Sequence, residues 1–166
     1  METIPLSTAI AGDLVFCYNT SLVGRAIRLA ERLRWRSGSS YNHVAILDNK
    51  TAGSWTLIEA VGRGVTRGSP LTSSDRKNGY VIVPLPEGTC REDVLAFARA
   101  QVGTKYGYLT LVSILVTLFS PKFVNVMLPN TWICSALAGE SLRCGGWIHT
   151  FGDIYQVSPA ELSEAL

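Results

Sequence analysis

NHVAILDNKTAGSWTLIEAVG, residues 42–62, contains two mostly apolar runs separated by a polar stretch rich in turn-forming residues. The runs are rich in Val, Ile, Leu and Trp, which favours strands near Asn42–Leu47 and Trp55–Val61. Asn49 and Gly53 lie between them, in a predicted loop over Asp48–Ser54. The stretch therefore predicts an antiparallel hairpin, and a sheet built on this hairpin decides the fold.

The predicted hairpin brings two polar residues together. If Leu47 pairs with Trp55, then His43, four residues before, lies opposite Glu59, four residues after. Because strand side chains alternate faces with a period of two, both point to one face. The Cβ atoms of directly opposite residues are about 4.5–5.5 Å apart, so the carboxylate and the imidazole can form a hydrogen bond.

Two interpretations of the His43–Glu59 pair are open. A surface pair across two strands contributes only about 0.2–1 kcal/mol to stability. In a catalytic site, the same carboxylate fixes the tautomer of the imidazole and stabilises the imidazolium, which leaves the second ring nitrogen to act on a thiol. The flanking residues are mostly apolar, and polar groups in such a sheet need partners, which favours the catalytic interpretation.

TWICSALAGESL, residues 131–142, supplies a candidate nucleophile. Cys134 falls at the predicted start of a helix over Ile133–Arg143, where the helix dipole lowers the pKa of a thiol. A single cysteine is more often a small buried hydrophobe. His43 and Glu59, however, would give this one a base and an orienting carboxylate. The three residues predict a Cys134–His43–Glu59 relay, with the backbone N–H of Cys134 helping to bind an oxyanion.

Along the chain, most of the predicted strands come before most of the predicted helices. This order predicts an α+β fold with an antiparallel sheet packed against helices, in a single domain over residues 1–166. Two S/T-x-x-E pairs, Thr89 with Glu92 and Ser158 with Glu161, predict capping boxes. The other predicted elements are strands at Leu14–Tyr18 and Tyr80–Leu85 and helices at Ser21–Trp35, Arg91–Val102, Tyr108–Phe119 and Pro159–Ala165.

The composition is that of a globular protein. Apolar residues make up 47% of the 166 positions and charged residues 17%, and the formal net charge of +2 is too small to indicate a nucleic-acid partner. The four cysteines, at positions 17, 90, 134 and 144, have no paired CxxC spacing, which favours free thiols in a reducing compartment. The first residues lack a signal-peptide pattern, so we expect a cytoplasmic protein, or one released by lysis if it is phage-encoded.

Two features bear on membrane contact. Residues Tyr106–Ser120 carry no charge, but the run is shorter than a membrane span and Pro121 ends it, which favours a buried core helix over a membrane-dipping one. In the predicted helix at Ser21–Trp35, arginines at 25, 28, 32 and 36 form a basic row. Such a row is commonly a solvated face. Docking to an anionic surface, and with it peripheral membrane contact, stays open as a second hypothesis.

Other candidate sites are weaker. Cys134, Cys144 and His149 could be drawn as zinc ligands, but their spacings match no common zinc site. His149, with Asp153 four residues later, is an alternative base. The glycine-rich residues Gly62–Pro70 lack the spacing of a nucleotide-binding loop and are interpreted as a turn beside the site. We therefore expect neither a metal nor a cofactor.

Several short motifs together resemble a known family. They are GDLVF (12–16), HVAI (43–46), IEA (58–60), GTKYGY (103–108), CSAL (134–137) and VSPAEL (157–162). The first three and the cysteine motif are similar to those of the NlpC-type cysteine peptidases of cell-wall peptides. In those enzymes the cysteine motif comes first, whereas here it follows the strands. The order is similar to that of the circularly permuted, papain-like amidases of YiiX/YaeF type, which are related to lecithin retinol acyltransferase-like proteins.

The resemblance implies a circularly permuted papain-like fold in which Cys134 is the nucleophile, His43 the base and Glu59 the orienting residue. It implies a thiol hydrolase, foremost one that cleaves an amide in bacterial cell-wall peptides. A lipid esterase or acyltransferase and a non-catalytic binding module of the same fold are the alternatives. Ile133 stands where the unpermuted enzymes often have Asp, a change that bears on substrate placement more than on the chemistry.

Overall fold

A five-stranded antiparallel sheet forms the centre of the protein. The computed structural model describes residues 2–18, 41–71, 79–110, 112–113, 128–148, 155 and 157–166. The strands are β1 (Leu14–Cys17), β2 (His43–Thr51), β3 (Ser54–Val61), β4 (Gly64–Leu71) and β5 (Tyr80–Val83), in the spatial order β4-β3-β2-β1-β5. The helices are α1 (Arg91–Ala100), α2 (Cys134–Cys144) and α3 (Pro159–Ala165), and a short parallel pair joins β6 (Lys105–Tyr106) to β7 (Thr131–Trp132). The α+β architecture with a helix-covered antiparallel sheet is therefore confirmed.

Both faces of the sheet are buried, which explains why its strands are so apolar. On one face, Phe16, Val44 and Ile58 pack against α1 and α2. On the other face, a second cluster that includes Ala45 and Leu57 is covered by residues near the N-terminus, Ile4 among them. The apolar residues of β2 and β3 thus alternate between two cores.

The hairpin of β2 and β3 has a tighter turn than the predicted loop over Asp48–Ser54. The strands continue to Thr51 and resume at Ser54, and the two residues between them, Ala52 and Gly53, have φ angles of 51° and 80°. Positive φ at both central positions is the geometry of a type I′ turn, whose twist matches that of the strands. The expectation of a loop over Asp48–Ser54 was wrong because Asn49, Lys50 and Thr51 pair across the hairpin.

The glycine-rich residues 62–70 are mostly strand, so their interpretation as a turn was wrong. Only Gly62 and Arg63 form the turn, and β4 then pairs with β3 from Gly64 onward. Gly64 has a φ of 116°, and a Cβ there would lie 2.4 Å from the carbonyl oxygen of Thr104. Glycine at this position therefore allows β4 to approach the chain near β6, which the sequence alone did not reveal.

One of the two predicted capping boxes forms. Ser158 accepts a hydrogen bond from the backbone N–H of Glu161, and the Glu161 carboxylate accepts one from the N–H of Ser158, so α3 begins as predicted. The box at Thr89 was wrong: Cys90 is the residue that precedes α1, and no side chain caps that helix. The backbone N–H of Cys90 instead donates to Gly145, and this contact sets the start of α1.

The residues that the structure describes in the apolar segment after β6 are only partly buried. Residues 108–110 and 112–113 are helical. Thr110 and Ser113 are buried, whereas Tyr108, Leu109 and Val112 are about half exposed. Among the described residues, no helix has the length and apolar character needed to cross a membrane. The predicted helix at Ser21–Trp35, its arginine row and residues 114–127 lie outside the described residues.

Candidate active site

His43 and Glu59 form a direct contact at the end of the hairpin opposite the turn. His43 is the first residue of β2, and its Nε2 atom lies 2.7 Å from Oε2 of Glu59 in β3. Their side chains are only 14% and 12% exposed. A largely buried ionisable pair of this kind costs desolvation, so it is held together by its hydrogen bond and charge rather than by packing alone.

The register that joins the two residues differs from the predicted one. Leu47 pairs with Leu57 rather than with Trp55, and a bulge at Asp48 absorbs one residue of β2. Continued toward His43, this register places Glu59 two residues away on the diagonal instead of directly opposite. A shift of two residues keeps both side chains on the same face, and a long side chain reaches across the diagonal. The predicted contact is confirmed, although the assumed pairing was wrong.

Cys134 is the first residue of α2 and reaches His43 from the helix side. Its side chain is buried, and its thiol lies close enough to the His43 imidazole for the two groups to shift each other's pKa. Val44 and Ile58, which alternate with His43 and Glu59, face the helices. The helix therefore does not lie over the middle of the His43–Glu59 pair. Its first residue meets the imidazole at the end of β2.

The beginning of α2 suits a thiolate. Ile133 precedes the helix in an extended conformation, and no side chain caps it. The first N–H groups of a helix have no partner within it. The backbone N–H groups of Ser135, in the first turn, and of Val44, in β2, lower the pKa of the Cys134 thiol. Small side chains at positions 135, 136, 138 and 139 are buried, which allows this end of α2 to lie close to β2 and β3.

The electrostatics of the pair shift both groups toward their charged forms. Burial alone would raise the pKa of the Cys134 thiol, but the His43 charge, its hydrogen bond and the two backbone N–H groups hold that pKa below its usual range. Burial alone would lower the pKa of His43, but Cys134 and then Glu59 outweigh it and raise the pKa to about 10. Opposite charges in contact favour each other in this way. The geometry thus supports a thiolate–imidazolium pair near neutral pH.

The ring nitrogens of His43 have separate partners. Glu59 takes Nε2, which leaves Nδ1 for the thiol. In the imidazolium form both nitrogens donate, so the two contacts can coexist. The imidazole therefore lies between the carboxylate and the sulfur, which is the arrangement that a proton-transfer relay requires.

Tyr106 is a residue of this site that the sequence analysis did not assign. Burial, and after it the nearby Cys134 and Tyr108, raise the pKa of the Tyr106 phenol, which therefore stays protonated. Its ring packs edge-on against Tyr108 with centroids 4.9 Å apart, and the Tyr108 hydroxyl donates to the carbonyl of Gly62 at 2.8 Å. The motif GTKYGY contained both tyrosines, but only the fold brings them to the cysteine.

Cys134 and Cys144, two of the three residues considered as weak zinc-ligand candidates, do not come together. Cys134 and Cys144 begin and end the same helix, so at 1.5 Å per residue they are about 15 Å apart along its axis. His149 and Asp153 lie outside the described residues. Within the part of the chain that the structure describes, no group of three or more His, Cys, Asp or Glu side chains could hold a metal ion. All four cysteines, which are among the described residues, are reduced and form no disulfide.

A solved structure has a related fold. The metalloprotein YiiX from Escherichia coli O157:H7 (DUF1105) superposes with a TM-score of 0.53 at 18% identity. The match covers 81% of this chain and 65% of that chain, so the present chain spans about two thirds of its length. No protein-family model and no curated protein sequence matches this chain significantly. The likeness therefore establishes a YiiX-like fold.

A metal does not fit the three site residues as they are arranged. Oε2 of Glu59 already contacts Nε2 of His43, and among the described residues, these three included, no group of three or more His, Cys, Asp or Glu side chains could hold a metal ion. No step of the chemistry proposed below involves a metal.

Proposed function

We propose that this protein is a cysteine hydrolase of the circularly permuted, papain-like type, and that it forms a covalent acyl-enzyme at Cys134. The observation that carries the proposal is the Cys134–His43 contact, in which the thiol pKa is lowered and the imidazole pKa is raised. The nucleophile helix follows the strands in the chain, as in the permuted order, and the YiiX-like fold supports the same type.

In the proposed mechanism, the Cys134 thiolate attacks the carbonyl carbon of an amide or ester. The carbonyl oxygen becomes an oxyanion, which the backbone N–H of Cys134 stabilises, with the protonated Tyr106 hydroxyl nearby as a second donor. The His43 imidazolium gives its proton to the leaving amine or alcohol. Neutral His43 then takes a proton from water, which attacks the thioester and releases the acid and the thiolate. Glu59 orients the imidazole throughout.

The substrate class follows from the family resemblance, and an amide of bacterial cell-wall peptides is our first candidate. Tyr108, whose ring packs on Tyr106 near Cys134, donates a hydrogen bond to the carbonyl of Gly62 in the turn before β4. A peptide bound on this side of Cys134 would meet both polar and aromatic groups. We propose no nucleic-acid partner, in keeping with the small net charge.

A lipid ester or another acyl substrate is the second candidate, and one observation favours it. In the helical residues after β6, the hydroxyl residues Thr110 and Ser113 are buried, while Tyr108, Leu109 and Val112 are about half exposed. Exposed apolar side chains beside a nucleophile suit an acyl chain or the surface of a membrane. Peripheral membrane contact belongs to this second candidate.

Trapping of the acyl-enzyme tests the proposal. The protein is incubated briefly with soluble cell-wall peptides or with short- and long-chain fatty-acid esters, quenched in acid and weighed by intact-protein mass spectrometry. We expect an acyl adduct that maps to Cys134 and is absent from Cys134→Ala. An adduct from peptides supports the amidase, and one from esters alone supports the lipid enzyme. A well-folded protein that gives no adduct and no product with either class would favour a binding module.

A further inference from the structure

The edge strand β4 places a hydroxyl residue directly opposite Glu59. In the β3–β4 ladder, Glu59 pairs with Thr66, Ala60 with Val65 and Val61 with Gly64. Directly opposite residues share a face, and their Cβ atoms are about 4.5–5.5 Å apart. Thr66 is therefore a cross-strand neighbour of the residue that contacts His43.

The position of Thr66 is fixed from both sides of β4. One side pairs with β3, and on the other side the Val65 N–H donates to the Thr104 carbonyl at 2.9 Å while the Gly103 N–H donates to the Val65 carbonyl at 2.9 Å. The close approach at Gly64 fixes the strand one residue further along. Thr66 thus has little freedom to move except by rotation about its own χ1 angle.

The Thr66 hydroxyl is buried and has no hydrogen-bond partner among the described residues. Buried hydroxyls are normally paired, because an unpaired one gives up its hydrogen bonds to water without compensation. A threonine hydroxyl can turn between staggered positions without any change of the backbone. The Glu59 carboxylate is the ionised acceptor directly across the ladder.

We propose that Thr66 is a positioning residue that donates a hydrogen bond to the Glu59 carboxylate. Glu59 reaches His43 along the diagonal of the ladder through a long side chain, and each further hydrogen bond to its carboxylate restricts where that carboxylate lies. The Thr66 hydroxyl supplies that contact and favours the ionised carboxylate. Thr66 extends the relay to Thr66–Glu59–His43–Cys134, and this inference rests on the proposed function.

The test measures the charge of His43 without a natural substrate. Iodoacetate is anionic and iodoacetamide is neutral, so an imidazolium beside the thiolate favours the first reagent over the second. The rate of Cys134 alkylation by iodoacetate is divided by the rate with iodoacetamide and measured as a function of pH. This ratio falls as His43 loses its proton. The midpoint of this fall in the wild type is expected near the raised pKa of His43, about 10.

Thr66→Val keeps the shape of the side chain and removes the hydroxyl, whereas Thr66→Ser keeps the hydroxyl. We expect Thr66→Val to lower the midpoint by roughly half to one pH unit, because a less firmly held Glu59 stabilises the imidazolium less. Thr66→Ser should keep the wild-type midpoint. Thr56→Val, on β3 near the hairpin turn, removes a hydroxyl that bonds Asn49 and should also leave the midpoint unchanged.

Glu59→Gln separates failure of this inference from failure of the relay. If Glu59→Gln lowers the midpoint by roughly one to two pH units and a folded Thr66→Val does not move it, Thr66 has no positioning role and the relay stands. If neither variant moves it, Glu59 does not support the His43 charge and the proposed relay itself is wrong. If Thr66→Val does not fold, Thr66→Ala replaces it. A midpoint in Thr66→Ala equal to that in Thr66→Ser would then overturn the inference.

Discussion

The two ends of the β2–β3 hairpin each hold a carboxylate in contact with nitrogen donors, and the two contacts differ in what their partners can do. Near the turn, the fully buried Asp48 accepts hydrogen bonds from Nε of Arg67 at 2.5 Å and from Nε of Arg99 at 2.7 Å. At the opposite end, Glu59 contacts Nε2 of His43 at 2.7 Å. Arginine does not lose its proton in proteins, whereas histidine can.

Asp48 is thus a permanent structural link. Burial raises its pKa, but the hydrogen bonds and charges of Arg99 and Arg67 outweigh burial and hold that pKa below its usual range. The link joins the β2 bulge to β4 through Arg67 and to α1 through Arg99. Glu59 has a partner that can exchange a proton and that itself contacts a thiol. Both ends have a carboxylate. The candidate catalytic end differs from the structural end because the partner of its carboxylate can gain and lose a proton.

His43→Ala should have the largest effect, because it removes the titratable partner. Without the imidazolium, Cys134 returns toward an ordinary thiol pKa near 8.5, at which only about one molecule in 300 is ionised at pH 6. The rate of Cys134 alkylation by iodoacetamide at pH 6 should fall on the order of 10²-fold. The rate is measured by peptide mass mapping on folded protein. An unchanged rate would mean that His43 does not activate the thiol.

Glu59→Gln should have a smaller effect on turnover. It keeps an acceptor near His43 but removes the charge that stabilises the imidazolium, and a cysteine depends on its base less than a serine does. We expect a loss of roughly 10- to 10³-fold in kcat on whichever substrate forms the acyl-enzyme. A thermal melt checks folding. Wild-type rates in both Glu59→Gln and Glu59→Ala would make Glu59 a structural cross-strand partner like Asp48.

Asp48→Asn should give the reverse result, a loss of stability with Cys134 alkylation unchanged. The arginines are about half exposed and regain water, so we expect a loss of about 1–3 kcal/mol, measured by urea denaturation. The folded-state pKa of Asp48 is lowered, so its contribution is present above the unfolded pKa of about 3.9 and is lost as the pH falls through the folded value. The difference from the wild type should therefore disappear in acid. A slower Cys134 alkylation would contradict the separation of the two ends.

Ala52→Asn should have the smallest effect, a gain in stability. Ala52 has a φ of 51°, which costs a residue with a Cβ, and asparagine followed by Gly53 is the preferred pair in a type I′ turn. We expect a gain of about 0.3–1 kcal/mol in the free energy of unfolding, with the same m-value. Destabilisation would argue against the two-residue turn, and with it against the bulge that positions Asp48.

The sequence predicted the contact between His43 and Glu59, but it did not predict the residue pairing of the hairpin that carries them. Alternation with a period of two placed His43 and Glu59 on one face of the sheet. A register that is wrong by an even number of residues leaves both side chains on that face. The assumed pairing of Leu47 with Trp55 was wrong because the bulge at Asp48 depends on Arg67 and Arg99, which are 19 and 51 residues away in sequence. Local pattern does not contain such contacts.

The remaining differences also arise from tertiary contacts. β4 was interpreted as a turn because glycine and proline are poor strand residues. Gly64, however, allows the close approach of Thr104, and Gly68 takes up a second bulge, in the β3–β4 ladder. Tyr106 could not be assigned because its role depends on the pairing of β6 with β7 two residues before Cys134. The α3 capping box, by contrast, is local and was predicted in full.

Competitive alkylation of the four cysteines in the wild-type protein tests the central claim most directly. Exposure alone predicts that Cys90 and Cys144 react first, because both are exposed and Cys134 is only 5% exposed. At Cys90 a backbone hydrogen bond at Asp93 lowers the pKa of the thiol, but the Asp93 and Glu92 carboxylates outweigh it and raise that pKa. Burial, and after it Glu140, raise the pKa of Cys144, whereas His43 outweighs burial and lowers the pKa of Cys134. With limiting iodoacetamide at pH 6, we predict that peptide mapping finds the label first at Cys134. Labelling in the order of exposure, or at equal rates, would contradict an activated Cys134–His43 pair.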